Sequence, residues 1–218
     1  MAPEFIALLI SGISLLISLL VTYLSYFRPA NIEMYVGGRL LFYPAPYATV
    51  DGNVWGGFGF YLPITFHNNS TRGGTIFEVR LLVQPIFNSI TYDMSWEEFA
   101  GMHPDERRFV SKSVVQPIVV RKQESVSELV QFIWTPYARP FEIEEGDYDI
   151  QVLVWTRRTQ KPQIVFSSRT KITKEHTDTY KKCLEQELPL TMELLLGNTH
   201  STCDLTTQSE TKKRYGSI

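Results

Sequence analysis

The sequence predicts a mainly β protein in which an N-terminal transmembrane helix precedes an antiparallel β-sandwich, a short C-terminal helix and a flexible tail. Three observations predict this class. An uncharged run extends from Phe5 to Phe27, apolar and polar side chains then alternate with a period of two up to about Thr173, and the alternation stops afterwards. The predicted segments are 1–28 for the anchor, 29–174 for the sandwich, and 175–218 for the short helix and tail.

The composition supports a packed chain and excludes several classes of function. Of 218 residues, 44% are hydrophobic and 20% are charged, which is typical of globular proteins. Because 21 Lys and Arg face 23 Asp and Glu, the chain lacks the basic excess that binds phosphates, and nucleic acid is not expected as a partner. No motif of a cofactor-binding or catalytic site is present, so we expect no cofactor and no enzymatic activity.

The N-terminal run predicts a retained membrane anchor. Residues 5–27 would extend about 35 Å as a helix, and a bilayer core is about 30 Å thick, so the lipid bilayer is a predicted partner. A cleaved signal peptide is disfavoured because no basic region precedes the run. Arg28 and Arg39 follow it, which favours an exterior N-terminus and a cytoplasmic domain, although long domains are translocated regardless of such charges.

Small hydroxyl residues recur at intervals of three and four along this run and therefore share one helical stripe. They are Ser11, Ser14, Ser18, Thr22 and Ser25. Such a stripe lets helices approach closely, which predicts association of the helix with itself or with another membrane subunit. In the alternative interpretation, each hydroxyl bonds to the carbonyl one turn earlier.

Eight segments of the middle region show the alternation of half-buried strands. They begin at Ile32, Leu40, Phe60, Phe77, Pro117, Leu129, Gly146 and Ile164. Because no helical crossovers separate them, the pattern indicates an antiparallel sandwich. Ser95 is followed three residues later by Glu98, a capping box that predicts a short connecting helix at 95–99.

The order of motifs resembles an immunoglobulin-like sandwich of the adhesion or fibronectin type III kind. The motifs are F-x-N-N at the end of a strand, a Gly-rich turn, F-x-V-x-L-x-V, and later P-F-x-I-x-x-G-D-Y-D-I-x-V-x-V. The resemblance implies that Tyr148 forms a tyrosine corner, with its hydroxyl bonded to nearby backbone. The chain departs from antibody domains because neither of its cysteines lies on a predicted strand.

The C-terminal region contains the residues that could hold a metal. A helix is predicted from Asp178 to Leu188, and residues 197–218 are predicted to be a flexible tail. The candidate ligands are His176, Cys183, His200 and Cys203, since Zn²⁺ takes four nitrogen or sulfur ligands. Only His200 and Cys203 have the spacing of a metal knuckle, so unligated thiols and histidines are the simpler interpretation.

Three functions remain open at this point. The leading hypothesis is a membrane-tethered module that binds another protein through its loops or an edge strand. The second is a structural subunit of a larger membrane complex, docked through the hydroxyl stripe. The third, a membrane-anchored metal-dependent enzyme, requires a cluster of polar groups that the linear sequence does not display.

Overall fold

The structure is a computed structural model that describes residues 3–26, 30–49, 52–103, 109–134, 143–159, 161–188 and 190–197. Its first element is a helix, α1 (Pro3–Tyr26), which lies where the uncharged run predicts a helix. The second helix, α2 (Lys174–Glu185), lies near the other end of the described chain. The predicted tail beyond Gly197 falls outside the described residues.

The predicted transmembrane anchor is wrong. In the described part of the chain, no helix has the combination of length and apolarity needed to cross a membrane.

Most of the described chain after α1 consists of strands. Within the described residues they are β1 (Ile32–Val36), β2 (Arg39–Thr49), β3 (Gly52–Asn68), β4 (Gly74–Ile76), β5 (Glu78–Pro85), β6 (Tyr92–Met102), β7 (Phe109–Val114), β8 (Ile118–Val120), β9 (Ser125–Trp134), β10 (Gly146–Trp155), β11 (Ile164–Ile172) and β12 (Met192–Leu195). Each of the eight predicted strands corresponds to one of them. The capping box at Ser95 does not start a helix, because Tyr92, Met94 and Trp96 alternate into the core as part of β6.

The predicted sandwich is also wrong, because ten of the described strands form one nearly closed sheet. The order is β11-β10-β5-β6-β9-β3-β2-β12, with β1 paired to β3 and β7 paired to β6. The two ends of this sheet meet: Thr170 Oγ1 donates to Leu195 O at 2.8 Å, and Gly197 N donates to Arg169 O at 3.4 Å. An immunoglobulin-like sandwich has two separate sheets, and this continuous order does not provide them.

One interior follows from this closure. Inward-facing residues of both halves of the sheet belong to a single buried cluster, including Met34, Phe60, Leu81, Val130 and Phe166, each at most 2% exposed. The alternation in the sequence therefore identifies the buried face of each strand correctly. Helix α2 packs on this interior through Tyr180.

A buried asparagine organises the loops at one end of the sheet. Asn68 is fully buried, and its Nδ2 donates to the carbonyl oxygens of Arg72, Val120 and Arg121 at 2.7, 3.2 and 3.1 Å. Its Oδ1 accepts from the backbone N–H of Ser70 at 3.0 Å. These bonds join the end of β3 to β8, which pairs with β4 in a small second sheet.

Candidate functional site

The sheet is open along one line, which lies between β11 on one side and β1 and β12 on the other; we call this line the seam. β1 and β2 pair with the same side of β3, one after the other, and the Gly37 N–H donates to Pro63 O at 2.8 Å between them. Among the described strands β12 pairs with β2 alone, and the bond that follows this pair runs from Leu196 N to Gly38 O at 2.9 Å. Among the described residues, no strand pairs with β1 on the seam side.

The β11 side of the seam presents unpaired backbone. In an antiparallel pair, each residue directs its N–H and C=O to the same side, and successive residues alternate. The carbonyl of Arg169 accepts from Gly197 across the seam. By this alternation, Val165 and Ser167 also direct their N–H and C=O groups to the seam. Within the described residues, the Gly197 bond is the only backbone bond made along this edge of β11.

The β1 side presents a second edge opposite the first. The Gly37 N–H points to β3, where it meets Pro63. Ile32 and Met34 differ from Gly37 by an odd number of positions, so their N–H and C=O groups point the other way, to the seam. Within the part of the chain that the structure describes, two strand edges thus face one another with no strand between them over the length of β1.

The seam widens at the start of β1 into a cavity of about 400 Å³, which we call the lower cavity. Ala30, Ile32 and Ile164 supply its apolar lining, and Glu33, Arg157 and Gln163 supply its polar lining. The cavity therefore combines apolar side chains with free strand edges at one end of the seam.

Two charged side chains line the lower cavity, and they differ in whether a neighbouring group binds them. The Tyr35 hydroxyl donates to Glu33 Oε2 at 2.8 Å, and this bond to a carboxylate raises the pKa of Tyr35. Arg157 is exposed, and it makes no ion pair among the described residues. The lower cavity therefore has one occupied carboxylate and one guanidinium available to a ligand.

A second cavity, of about 730 Å³, lies at the other end of the seam between β11, β12 and the start of α2. Two of its four acidic or basic side chains, Arg169 and Glu193, are paired with neighbours, whereas Asp147 and Lys171 make no ion pair among the described residues. Arg169 Nε lies 3.0 Å from Asp149 Oδ1, and Glu193 Oε1 lies 3.1 Å from Arg39 Nε. Exposed pairs of this kind contribute about 0–1 kcal/mol each.

The proposed metal ligands are not brought together in the described chain. Cys183 is buried on α2, whereas the imidazole of His176 accepts from the Thr173 N–H at 3.2 Å and caps the start of that helix. No group of three or more metal-ligating side chains occurs among the described residues. His200 and Cys203 lie outside them, so the four-residue site stays a prediction.

The hydroxyl stripe on α1 shows one bond of the kind that the alternative interpretation expects. Ser18 Oγ donates to Ser14 O, one turn earlier, at 2.9 Å. The side chain of Ser25 lies outside the described residues, and nothing in the structure contacts Ser11 or Thr22 in a way that tests helix association. The packing function of the stripe stays a prediction.

A histidine and a serine meet on the outer face of the sheet, but they do not form a catalytic triad. His67 Nδ1 lies 2.8 Å from Ser125 Oγ, and Glu33 is the cross-strand neighbour of His67. The Glu33 carboxylate instead accepts from Tyr35 and forms no ion pair with His67. Without a carboxylate to orient the imidazole, the pair lacks a part that a nucleophilic site needs.

Sequence reasoning did not find a buried polar cluster on the outer face of β2, β3 and β9. Gln131 Nε2 donates to the hydroxyls of Tyr43 and Tyr61, and the two rings stack with centroids 4.8 Å apart. Burial raises the pKa of both tyrosines above 10. Their hydroxyls therefore stay neutral at physiological pH, so the cluster supplies packing and hydrogen bonds rather than a general base.

These features define a mainly β protein whose described strands form a nearly closed sheet with a seam. No family model matches its sequence, and no curated protein is significantly similar to it.

Proposed function

We propose that this protein is a non-catalytic interaction module that binds an extended segment of another protein along the seam. The observation that supports the proposal is the pair of facing strand edges, one on β1 and one on β11. Strand addition is a common mode of peptide recognition, in which backbone bonds supply affinity and neighbouring pockets supply specificity. The lower cavity provides such a pocket at one end of the seam.

The seam matches the size of a short bound strand. The five residues of β1 extend about 17 Å at 3.4 Å per residue. A segment of similar length could bond to Val165 and Ser167 along the edge of β11. Each such bond contributes about 0.5–1.5 kcal/mol net, so several of them are enough for a transient complex.

Selection from a library of random heptapeptides, followed by hydrogen exchange on the full chain, tests the proposal. We expect the selected peptides to slow amide exchange at Val165 and Ser167. Peptides that bind without protecting these amides, or that protect another surface, would contradict the proposed site.

A proline substitution gives a sharper test of the backbone contact. Val165→Pro removes an N–H that points to the seam and leaves the β10 ladder bonds in place, because Val165 does not donate to β10. Val165→Ala removes a comparable side chain but keeps the N–H, so it is the matched control. We expect peptide affinity to fall in the proline variant alone, at unchanged circular dichroism. Equal affinities in the two variants would count against strand addition.

A further inference from the structure

Two overlapping sequences at the end of β3 have the form that accepts N-linked glycans. Asn-x-Ser/Thr occurs twice in the chain, as Asn68-Asn69-Ser70 and as Asn69-Ser70-Thr71, and in neither is the middle residue proline. β3 ends at Asn68 and β4 begins at Gly74, so the second asparagine lies in the connecting loop and the first does not. The two asparagines are therefore equivalent as sequence motifs but not in the folded chain.

The buried position of Asn68 is incompatible with a glycan. Its side chain is fully buried, and its Nδ2 donates to the carbonyl oxygens of Arg72, Val120 and Arg121. A glycan would replace one of the two Nδ2 hydrogens and would have to fit into the packed end of β3. Buried carbonyl oxygens would then lose their donor, which is costly. A chain with a glycan on Asn68 therefore cannot form this network.

The side chain of Asn69 has the opposite properties. It is exposed, and it makes no hydrogen bond among the described residues. Its backbone N–H donates to Asn31 O at 2.9 Å, so the loop is anchored at this residue while the amide group points away from the packed interior. Thr71, which supplies the hydroxyl group of the second motif, is exposed as well, and so are Arg72 and Gly73. The amide, the hydroxyl and the chain that follows them are therefore all accessible to a transferase.

We propose that Asn69 is an N-glycosylation site of this protein and that the overlapping Asn68 is not. The co-reactant is an oligosaccharide joined to a lipid through a diphosphate. In the transfer, the bond between the sugar C1 and the diphosphate oxygen breaks, and a bond between C1 and Asn69 Nδ2 forms. Nδ2 gives up one proton to a base of the transferase, and the lipid diphosphate is the leaving group. Because Asn31 lines the lower cavity, the glycan begins beside that end of the seam.

Incubation of the folded full chain with an oligosaccharyltransferase and a lipid-linked oligosaccharide tests the proposal, under conditions in which the enzyme modifies a reference acceptor peptide. Mass spectrometry after treatment with peptide N-glycosidase locates the site, because the glycosidase leaves aspartate where the glycan was attached. We expect modification at Asn69 in the unsubstituted chain and in Ser70→Ala, which retains the second motif alone. Thr71→Ala retains the first motif alone and should lose the glycan completely. An unmodified chain, or a glycan on Asn68, overturns the proposal.

A double variant separates the effect of burial from a preference of the enzyme for threonine over serine. Ser70→Thr combined with Thr71→Ala leaves Asn68 as the one acceptor, now followed by threonine, and keeps the hydroxyl that donates to Asn68 Oδ1 at 2.6 Å. We expect this variant to stay unmodified, and its modification would overturn the exclusion of Asn68. The glycosylated unsubstituted chain should keep the urea midpoint of the unmodified chain, because none of the described hydrogen bonds is lost. A lower midpoint would show that the Asn69 side chain packs against the protein, which would overturn its assignment as an accessible acceptor.

Discussion

Replacing Tyr148 with phenylalanine isolates the contribution of one buried hydroxyl. Tyr148 is fully buried at the start of β10, and its ring lies edge-on to Phe87 with centroids 5.7 Å apart. The hydroxyl accepts from Glu144 N at 3.1 Å and donates to Glu144 O at 3.0 Å. Burial raises the pKa of Tyr148, so the hydroxyl stays protonated and able to donate.

The expected loss follows from these two bonds. Tyr148→Phe keeps the ring and its contacts but leaves the N–H and C=O of Glu144 without their partner. Each bond contributes about 1 kcal/mol net, so the free energy of unfolding should fall by about 2 kcal/mol. With a urea dependence of about 2 kcal/mol per molar, the midpoint of unfolding should fall by about 1 M.

Urea denaturation of the variant beside Tyr35→Phe measures this difference. Tyr35 is 41% exposed and also donates one hydrogen bond, to Glu33. Its substitution should change the free energy of unfolding by less than about 0.5 kcal/mol, because water replaces the lost bond. Equal midpoints for the two variants would show that the Tyr148 hydroxyl does not bridge Glu144, and would refute the assigned inward phase of β10.

Three further variants are informative. Asn68→Ala should lower the free energy of unfolding by about 2–3 kcal/mol, because four backbone groups lose their partner. Asn69 is exposed, so Asn69→Ala should have little effect, and thermal unfolding of the two variants compares them. Gly59→Ala should lower the free energy of unfolding by more than about 1 kcal/mol, because the added methyl group would overlap the Tyr43 ring. In Gly101→Ala the methyl group would meet no atom within 4 Å, so urea titration should show little change. Burial raises the folded-state pKa of Tyr43 above its unfolded value near 10, so the contribution of this residue to stability is complete below pH 10 and is lost as the pH rises further. Above pH 10, the free energy of unfolding of Tyr43→Phe should therefore fall less steeply with pH than that of the unsubstituted protein, by up to about 1.4 kcal/mol per pH unit.

The sequence predicts individual strands well because burial is a local signal. Tyr148, Ile150, Val152 and Val154 alternate in the sequence and all lie in the core. The tyrosine-corner bond inferred from the resemblance is present, with Glu144 as the backbone partner. It occurs here in a continuous sheet, so this local feature does not distinguish a sandwich from other all-β folds.

The closure of the sheet could not be predicted in the same way. Periodicity shows which face of a strand is buried, but it does not show which strands share an edge. β12, whose four residues complete the sheet, is too short for a clear alternation. The start of α2 was also missed, because a Thr173–His176 capping box differs from the usual Ser/Thr and Glu pattern.

The residues of the proposed site gave still weaker signals. The backbone edges of Val165 and Ile32 depend on pairing, so their side chains carry no information about them. Arg157 reads as an ordinary turn residue, and Gln131 as an ordinary polar residue on the exposed face of β9. Only their neighbours in the folded sheet show that one lies at a cavity and that the other is buried.

The pairing of β2 with β12 also constrains the order of folding. Arg39 and Glu193 meet across this pair although 154 positions separate them in the chain. Bringing such distant segments together requires closing a very long loop, and proteins dominated by non-local strand pairs fold in milliseconds to seconds. During synthesis β2 would emerge long before its partner, so the newly made sheet has an exposed edge at β2 until residues 192–195 have left the ribosome.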